Sequence, residues 1–428
     1  MHITLLNGVG SSPSSDRIAA AVGIRASRLT VHDLASPPFR PCDGCARCLV
    51  EHPGFCAHLG EVPSANRVLE DIMAADLVVI VTRPRFGVWD YAVKAMLDRA
   101  LALGTPFIEG GIRQRRYDRY PRWAVFALGT QRAAGRSLFL RAARATASSV
   151  LPGGPWVRFI EPDVPLATLD ALAGEALGSP ARAAQPEPRE TVSHWLVRRG
   201  VPRGTGPRHA VVWVGSGKPS RTSTSEALGR ALAERLRARG WTFEVLPMTA
   251  PNADPDRFVA SLQRADLVIP AAPVHHGTLP ASVIQGLGVA VDEPSPERTA
   301  WLPIVQCGLP EVRHTTLAIE ILQRAVGERG DAWVGHLAMG QGEALRGQSP
   351  DGRGVWGREL ALALDAAADA VHAGQPLSDS IIERSARPLM PAMVYRAAHR
   401  AIWWWRAARL GTLDRLADQP FRTGLRDS

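Results

Sequence analysis

Two thirteen-residue stretches of this sequence share one pattern. ADLVVIVTRPRFG (75–87) and ADLVIPAAPVHHG (265–277) both begin with Ala-Asp, continue through a short apolar run and end in glycine. A short apolar run rich in β-branched residues, followed by a turn with Pro and Gly, is typical of a buried parallel strand that leads into a loop at the sheet edge. The repetition predicts that the chain contains the same strand and loop twice.

Apolar runs alternate with helix-period segments on both sides of a stretch rich in Ala, Pro, Arg and Gly at 178–206, which is predicted to be a linker. Strands separated by helices of this length indicate βαβ units and a parallel sheet covered on both faces. In the first region we predict strands at 2–7, 29–33, 77–81, 124–128 and 157–161, and helices at 66–74, 91–103 and 138–150. In the second region we predict strands at 209–215, 242–247, 267–272, 302–307 and 333–338, and helices at 225–239, 279–289, 315–328 and 359–373.

The predicted organisation is therefore two α/β domains, 1–177 and 207–375, each built on a five-stranded, doubly wound parallel sheet. A helical C-terminal segment, 376–428, follows and contains an apolar, basic stretch with three consecutive tryptophans at 403–405. Three adjacent tryptophans cannot all lie on one face of a helix. For this tail the sequence favours packing against a domain or a partner subunit, with contact to a membrane surface as the alternative.

The net charge of +9 comes from arginine, because Lys94 and Lys218 are the only lysines. A positive balance of this size favours anionic small ligands, and nothing in its distribution indicates a nucleic-acid surface. No run of about 18 apolar residues is present, as a spanning helix would require. The opening MHITLLNGVG lacks the charged start of a signal peptide. We therefore expect a cytoplasmic protein without a transmembrane segment and without a nucleic-acid partner.

Each region opens with a strand, a turn rich in hydroxyl side chains and a helix: NGVGSSPSSDR (7–17) and GSGKPSRTSTSE (215–226). Backbone N–H groups at a helix N-terminus bind anions, and neither turn has the spacing of a Walker loop or of a dinucleotide fingerprint. The pattern indicates a monophosphate site, with ordinary N-capping by Ser15 or Thr224 as the competing interpretation. In a parallel sheet, the loops after the third and fourth strands should face the same cleft as these turns.

These motifs resemble those of the flavodoxin-like NAD(P)H-dependent FMN reductases, over most of 1–165 and 207–342. That family carries a hydroxyl-rich phosphate loop, a Pro-x-Tyr-x-Gly turn after strand three, a following helix with a Lys and an Asp-Arg pair, and a glycine loop after strand four. The matching residues in the first region are Ser11, Ser12, Ser14, Ser15, Pro84, Gly87, Lys94, Asp98, Arg99 and Gly129. Those in the second region are Gly215, Ser216, Arg221, Thr222, Ser223, Thr224, Pro273, Gly277 and Gly308.

The resemblance implies an FMN-dependent oxidoreductase that passes electrons from NAD(P)H to a small acceptor such as a quinone or free flavin. It also implies a homodimer. Alternatively, the two regions of one chain would pair with each other in place of two subunits. The neighbouring positions Arg85, Phe86, Thr130 and His275 join the candidate FMN-binding residues. The family's tyrosine is Arg85 or Phe86 in the first copy and His275 in the second, and the second copy lacks the Lys and the Asp-Arg pair.

Three of these side chains are candidates for a catalytic role. Arg85, together with Arg83, suits a reduced, anionic flavin or a nucleotide phosphate, unless both are simply solvated surface arginines. His275 and His276 are candidates to supply a proton during reduction of an acceptor, and an uncharged packing role is the alternative for each. The basic stretch RQRRYDRYPR (113–122) either binds the 2′-phosphate of NADPH or forms a solvated connection.

PCDGCARCLVEHPGFC (41–56) places Cys42, Cys45, Cys48 and Cys56 at the spacing C-x2-C-x2-C-x7-C. In a reducing compartment such crowding indicates metal or redox chemistry rather than a disulfide framework. The stretch resembles the compact cysteine motif of iron-sulfur flavoproteins, which implies a [4Fe-4S] cluster. Tetrahedral zinc and a role without metal remain alternatives. Cys307 is predicted to be packed in the core.

Two other functional interpretations follow from the same residues. The chain could be an iron-sulfur flavoprotein that acts as an electron-transfer module and receives electrons from a protein donor. Alternatively, the second region could be a dimerisation or regulatory domain that has lost its flavin. The cysteines favour the first region as the FMN site because they lie beside its cleft, whereas the better preserved phosphate loop favours the second.

Overall fold

The computed structural model describes residues 1–35, 40–58, 64–149, 154–178, 198–200, 208–295 and 299–421. The chain forms two compact units. The first consists of Met1–Cys42, Ala46–Val192 and Arg400–Ser428, and the second of Asp43–Cys45 and Ser193–His399. Three residues of the cysteine stretch therefore belong to the second unit, and the C-terminal segment is divided after His399. Most of the predicted linker lies outside the described residues.

The strands of the first unit are β1 His2–Asn7, β2 Arg28–Asp33, β3 Leu77–Thr82, β4 Gly104–Glu109, β5 Ile112–Arg115, β6 Arg122–Leu128 and β7 Trp156–Ile160. Its helices are α1 Pro13–Gly23, α2 Arg47–Val50, α3 Ala65–Ala74, α4 Tyr91–Arg99, α5 Ala133–Ser149 and α6 Leu166–Gly178. Five strands form a parallel sheet in the order β2-β1-β3-β6-β7, which is the flavodoxin-like order. The β4-β5 hairpin is separate and antiparallel.

The strands of the second unit are β8 Arg198–Arg199, β9 His209–Val214, β10 Thr242–Leu246, β11 Leu267–Pro273, β12 Ala300–Trp301, β13 Ile304–Gln306, β14 Ala332–Trp333 and β15 Leu337–Met339. Its helices begin with α7 Thr224–Arg237, α8 Ala250–Ala253, α9 Pro255–Arg264, α10 Ala281–Asp292, α11 Thr316–Arg329, α12 Arg358–His372 and α13 Asp379–Ser385, and α14 Ala392–Arg409 starts in this unit. All pairings in its sheet are parallel.

In the second sheet, β12 and β13 are the two halves of one interrupted strand, and so are β14 and β15. The strand order is β10-β9-β11, followed by β12 and β13, and then by β14 and β15. At the edge of the sheet, β8 pairs with β14. Pro303 separates β12 from β13 because proline has no N–H to donate to the ladder. Gly335 separates β14 from β15 and has φ of 141°, a conformation that L side chains rarely adopt. The predicted strands 302–307 and 333–338 are thus each broken once, while the order of the main strands is the same in both units.

The repeated Ala-Asp pair has the same structural role in both units. The Asp76 carboxylate accepts the backbone N–H of His2 at 2.9 Å, and the Asp266 carboxylate accepts that of His209 at 2.8 Å. Each aspartate therefore ties the beginning of its own strand to the beginning of the first strand of the sheet. The apolar run that follows is buried on both faces, as β3 is over its whole length.

The glycine that closes each repeat lies in a tight hairpin turn. Phe86 and Gly87 have φ of 56° and 73°, and His276 and Gly277 have φ of 49° and 78°. Both central residues of such a turn need positive φ, which glycine adopts freely and a bulky side chain adopts at a cost. The strained residue occurs at the same point of both units, where the third strand ends.

Among the described helices, none has the length and apolar character needed to cross a lipid bilayer.

His336 gives the second unit a predicted pH dependence. It lies between β14 and β15, and burial lowers the pKa of its imidazole from the ordinary 6.5 to about 4. The unfolded chain binds a proton here below about pH 6.5, whereas the folded unit does so only near pH 4, so unfolding becomes easier as the pH falls through this window. We expect the free energy of unfolding to fall by about 2 kcal/mol, since one pKa unit is worth about 1.4 kcal/mol and partial solvent contact reduces the effect.

The measurement is urea denaturation at pH 7 and pH 4.5, followed by near-UV circular dichroism, for the wild-type chain and for His336→Gln. The variant cannot bind a proton at this position. Its free energy of unfolding should therefore fall by about 2 kcal/mol less than that of the wild type between pH 7 and pH 4.5. Equal losses in both proteins would contradict the assignment to His336.

Candidate functional site

In each unit, three loops lie at the carboxyl edge of the parallel sheet, where ligands bind in open α/β folds. In the first unit they follow β1, β3 and β6, and in the second they follow β9, β11 and β13. The order of the strands places the loop after the first strand beside the turn after the third, as the sequence predicts. The two clefts differ in what covers them.

The first loop of the first unit, 7–15, ends at the N-terminus of α1. Ser12 is the N-cap: its hydroxyl accepts the Ser15 N–H, and the Ser15 hydroxyl accepts the Ser12 N–H at 2.9 Å. Ser15 is buried and its hydroxyl also donates to the carbonyl of Gly10. The N-cap is thus Ser12, not Ser15 as the sequence suggested in its alternative interpretation, and Ser15 completes the capping box. Ser11 and Ser14 remain at the surface of the loop and can face a ligand.

Space above this loop is the first indication of a ligand site. A Cβ added to Gly10 would meet only the Cβ of Ala35, at 3.7 Å, among the described residues. One turn further along α1, the exposed Asp16 carboxylate accepts the Ser11 hydroxyl at 2.9 Å, and an anion bound at Ser11 would replace this hydrogen bond. The helix N-terminus contributes N–H groups without intrahelical partners. The loop can therefore receive an anion at Ser11 and Ser14.

The turn after β3 is rigid and largely buried. Phe86 is 1% exposed, and a side chain at Gly87 would contact Leu138 at 2.8 Å, so the predicted contacts of these two residues with a cofactor are restricted to their backbone. Pro84 is also buried, whereas Arg83 is exposed and Arg85 is half-buried with its guanidinium 5.0 Å from the Phe86 ring. Positive charge on this side of the cleft therefore comes from Arg83 and Arg85.

Asp90 follows this turn and was not among the residues predicted from the sequence. It caps α4, where its carboxylate accepts the N–H of Val93 at 2.9 Å, and it also accepts the N–H of Arg83 at 3.1 Å and the hydroxyl of Thr82. Burial raises the pKa of this carboxyl group against those hydrogen bonds. A Cβ at Gly8 would lie 2.9 Å from it, so Asp90 holds the turn against the first loop. An aspartate immediately before a helix is the signal that could have identified it.

The loop after β6 contains a second unpredicted residue, Gln131. Its Nε2 donates to the carbonyl of Pro84 at 3.0 Å, while its Oε1 is buried and has no hydrogen-bond partner among the described residues. Such an acceptor is rare in a folded protein and calls for a water or a ligand. Gly129 has φ of 97°, its nearest described side chain is Arg83 at 3.9 Å, and Thr130 is exposed. The loop after β6 is therefore open at Gly129 and Thr130, and the unpartnered Oε1 of Gln131 lies buried within the same loop.

In the second unit, a carboxylate of the chain already takes the donors of the corresponding loop. Glu226 is buried and accepts the N–H of Arg221 at 2.8 Å and the hydroxyl of Ser220 at 2.9 Å. Burial alone would raise its pKa, but hydrogen bonds from Arg230, Arg221 and Ser220 lower it below the usual range, so the group is charged near neutral pH. A fixed negative charge at this helix N-terminus opposes a phosphate.

The predicted hydroxyls of this loop are used within the protein. Ser223 is the N-cap of α7, the Thr222 hydroxyl donates to the Pro219 carbonyl at 2.6 Å, and the buried Thr224 hydroxyl donates to the Gly342 carbonyl at 3.0 Å. Arg221 is exposed with φ of 65°. The Ser216 hydroxyl accepts the N–H of Lys218 at 3.4 Å. N-capping and loop contacts therefore account for the pattern that suggested a phosphate site here.

The segment Asp43–Cys45 lies across two loops of the second unit. A Cβ added to Gly217, the counterpart of the open Gly10, would be 2.6 Å from the Cα of Asp43. A Cβ on Gly44 would be 3.4 Å from Nε2 of His275, in the turn after β11. The segment keeps its own shape because the Asp43 carboxylate accepts the N–H of Cys45 at 3.0 Å. It thus occupies the edge of the sheet where Pro273, His275, His276 and Gly277 would meet a cofactor.

The third loop of the second unit is covered as well. Gly308 faces the Glu343 carboxylate, 3.1 Å from an added Cβ, and its carbonyl accepts the Tyr395 hydroxyl at 2.6 Å. The adjacent Cys307 is buried, which raises the pKa of its thiol to about 12 and supports the packing role predicted for it. All three loops of the second cleft therefore contact other parts of the same unit.

Three of the four clustered cysteines, Cys42, Cys48 and Cys56, belong to the first unit, and each lies near a buried cation. Arg99 donates from Nη1 to Sγ of Cys56 at 3.1 Å and from Nε to the Arg40 carbonyl at 2.9 Å. Cys42 interacts electrostatically with Lys94, and Cys48 with Arg116. Each of these three cysteines therefore has a cationic side chain close to it.

The thiols of Cys42, Cys48 and Cys56 do not form a three-thiolate zinc site. Among the described residues, the Sγ atoms of these three cysteines are not all within 4.8 Å of one another. Three thiolates on one tetrahedral zinc ion would be separated by about 3.8 Å, given a Zn–S distance of about 2.3 Å. Cys45 is part of the second unit and is half-buried.

Within the basic stretch 113–122, which was predicted to bind a nucleotide phosphate or to form a solvated connection, Arg116 is buried and bonded to carbonyls of the chain. It is 4% exposed and donates to the carbonyls of Ala102 and Gly104, and from Nη1 to those of Leu416 and Asp418 at 2.9 and 2.8 Å. The segment 410–421, which we call the C-terminal strap, is held to the first unit by these bonds. Further contacts of the strap are the Thr412 hydroxyl with the Val50 carbonyl, the Phe421 N–H with the Tyr117 hydroxyl, and the Phe421 ring with Phe55.

We expect Arg116→Leu to destabilise the first unit by about 2 to 3 kcal/mol, because four buried carbonyls lose a charged donor. The strap should also detach and become sensitive to trypsin. Urea denaturation and limited proteolysis followed by mass spectrometry measure the two effects. The exposed Arg115 provides a matched control, since Arg115→Leu should change neither quantity measurably. Normal stability with an intact strap in Arg116→Leu would contradict this role.

No protein-family model and no curated protein matches the chain. Solved structures that resemble it include the azoreductase from Bacillus anthracis str. Sterne, which is 13% identical, with a TM-score of 0.29, over 39% of this chain and 99% of that one. An NAD(P)H:quinone oxidoreductase from Methanothermobacter marburgensis is 17% identical, with a TM-score of 0.27, over 39% and 98%. The Flv1 flavodiiron core from Synechocystis sp. PCC6803 is 13% identical, with a TM-score of 0.28, over 72% and 78%. Because these identities and TM-scores are low, the flavodoxin-like assignment of each unit rests on its strand order.

Proposed function

We propose that this chain is an FMN-dependent oxidoreductase that takes electrons from NAD(P)H and passes them to a small acceptor such as a quinone or free flavin, and that FMN binds in the first unit. The observation that carries the proposal is the first loop of the first unit, which is open above Gly10, together with the loop after β6, where the Oε1 of Gln131 has no hydrogen-bond partner among the described residues. The flavin ring has an N–H group that can donate a hydrogen bond to such an acceptor. The phosphate of FMN can bind to the N–H groups of a helix N-terminus.

Different residues of the first unit would bind different parts of FMN. Ser11, Ser14 and the first N–H groups of α1 would hold the phosphate, while Gln131 would orient the ring by a hydrogen bond from its N–H. Arg83 and Arg85 would supply positive charge near the ring, which favours its reduced, anionic form. FMN, when bound, supplies hydride acceptance and electron donation itself.

For the second unit we infer a role without FMN. Glu226 places a charged carboxylate in its phosphate loop, and Asp43 lies against Gly217 where the loop would have to admit a ligand. His275 and His276 then have no part in the reaction at this cleft. This supports the interpretation of the second region as a dimerisation or regulatory domain.

A second candidate function is an iron-sulfur flavoprotein that receives electrons from a protein donor. The observation that favours it is the set of buried cations beside the first unit's cysteines, above all the bond from Arg99 to Cys56. Four thiolates around one cluster accumulate negative charge, and buried cations would offset it. Cys42, Cys45, Cys48 and Cys56 are the ligands this candidate requires.

The experiment is to purify the chain without oxygen, to quantify FMN and iron per chain, and to measure NADH and NADPH oxidation with a quinone or free FMN as acceptor. We expect about one FMN per chain, not two, together with acceptor-dependent NAD(P)H oxidation. About four irons per chain without NAD(P)H oxidation would replace the proposal by the electron-transfer module. Failure to bind FMN on reconstitution would overturn both.

A further inference from the structure

The last long helix, α14, buries only one narrow stripe. Tyr395, His399, Trp403 and Ala407 follow one another at intervals of four residues, and all are at most 5% exposed. Residues at this spacing lie on one side of a helix. The contacts of the stripe include the Tyr395 hydroxyl with the Gly308 carbonyl and the Arg406 guanidinium above the Trp403 ring, at 4.6 Å.

The side opposite this stripe is apolar and exposed. At 100° per residue, an arc of about 140° on this side contains eight residues, none of them polar or charged. They are Met393, Val394, Ala397, Ala398, Ala401, Trp404, Trp405 and Ala408, and every one is exposed. Trp404 and Trp405 are 50% and 54% exposed, and Met393 is 82% exposed. Of the three tryptophans predicted to pack against a domain or a partner subunit, Trp403 is thus buried within this chain, whereas Trp404 and Trp405 are not.

The charged residues at the two edges of this apolar face are both arginines. Arg400 lies at one edge and Arg409 at the other, where its guanidinium is 4.8 Å from the Trp405 ring. No aspartate or glutamate occurs between Ala392 and Arg409. Exposed tryptophans beside arginines, on a helix without acidic residues, have the composition of helices that lie in the interface of an anionic membrane.

We propose that this face of α14 binds the surface of a membrane containing anionic lipids. Trp404 and Trp405 would enter the headgroup region, where an amphipathic ring is favoured, and Arg400 and Arg409 would contact lipid phosphates. The helix lies in the interface and does not cross it, in keeping with its arginines. Pairing with α14 of a second copy fits less well, because it would bring the arginines of two helices together without an acidic residue of either helix between them. The proposal is independent of the bound cofactor.

The test is co-sedimentation of the full chain with vesicles of phosphatidylcholine alone and with vesicles that also contain about 30% phosphatidylglycerol. We expect binding to the anionic vesicles and much weaker binding to the neutral ones, with loss of binding near 1 M salt. The double variant Trp404→Gln/Trp405→Gln should weaken binding at least about tenfold, because both rings leave the interface. Trp356→Gln is the matched control, since Trp356 is 49% exposed but lies outside α14.

The variants change exposed side chains only, and far-UV circular dichroism should show the wild-type spectrum. Absence of wild-type binding to anionic vesicles would overturn the proposal, as would unchanged binding of the double variant. Analytical ultracentrifugation adds a separate outcome. A wild-type dimer that the same double variant dissociates would assign the face to a second copy of the chain, and that result also overturns the membrane proposal.

Discussion

Asp98→Ala is expected to destabilise the first unit by about 3 to 5 kcal/mol, because it leaves a buried ammonium group without its counter-ion. Lys94 and Asp98 form an ion pair one turn apart on α4, and both side chains are fully buried. Burial lowers the pKa of Lys94 although Asp98 acts in the opposite direction. Urea denaturation monitored by tryptophan fluorescence measures the loss, analysed as a separate transition of the first unit.

Two controls separate the charge effect from loss of packing. The double variant Lys94→Met/Asp98→Leu removes both charges while keeping apolar volume, and should cost less than about 1.5 kcal/mol. Glu234→Ala breaks a pair with Arg237 that is exposed on α7, and should cost less than about 1 kcal/mol. A loss below about 1 kcal/mol in Asp98→Ala would show that the pair does not stabilise the unit as its burial implies.

Ser14→Glu is expected to abolish tight FMN binding while leaving the fold intact. Ser14 occupies the second position of α1, where a carboxylate interacts favourably with the helix dipole and should stabilise the helix by about 0.3 to 1 kcal/mol. The same carboxylate would repel a bound phosphate. At about 5 Å and an effective dielectric constant of about 20, one pair of unit charges costs about 3 kcal/mol, which corresponds to a Kd for FMN raised about 100-fold.

The measurement is titration of the apoprotein with FMN and, in parallel, with riboflavin, which has no phosphate. Riboflavin affinity should be unaffected, because the change acts on the phosphate alone. Lys218→Glu is the matched control: it places a carboxylate in the corresponding loop of the second unit and should leave FMN affinity unchanged. If Lys218→Glu weakens FMN binding and Ser14→Glu does not, the cofactor binds in the second unit and the proposed site is wrong.

Much of the fold could be predicted from local patterns. The ten predicted sheet strands all have counterparts, since buried parallel strands appear as apolar runs and helices show a period of 3.6 residues. The hairpin of β4 and β5 was missed because its sequence, GTPFIEGGIRQR, has only three large apolar residues and is interrupted by three glycines and a proline. The breaks at Pro303 and Gly335 were missed because each lies inside an apolar run that continues on both sides.

The candidate site was harder to predict, because occupancy of a loop depends on residues distant in sequence. The serines and threonines of the second unit's first loop looked better suited to a phosphate than those of the first unit. Glu226, three residues beyond the N-cap, and Asp43, from another part of the chain, take the space and the donors instead. No sequence pattern distinguishes Gln131 from other glutamines. That its Oε1 lacks a donor depends on which groups surround it in the folded protein.

The bonds from Arg116 to the C-terminal strap also affect how the protein is made. Asp418 follows Arg116 by 302 residues in the sequence. At about 5 to 20 residues per second, a ribosome needs roughly 15 to 60 seconds to add that length of chain. During this interval the first sheet can form, yet the Arg116 guanidinium still lacks two of its acceptors and the neighbourhood of the cysteines lacks its cover. The first unit therefore begins folding first but is completed last, and its nascent form should be the stage most exposed to oxidation and to chaperones.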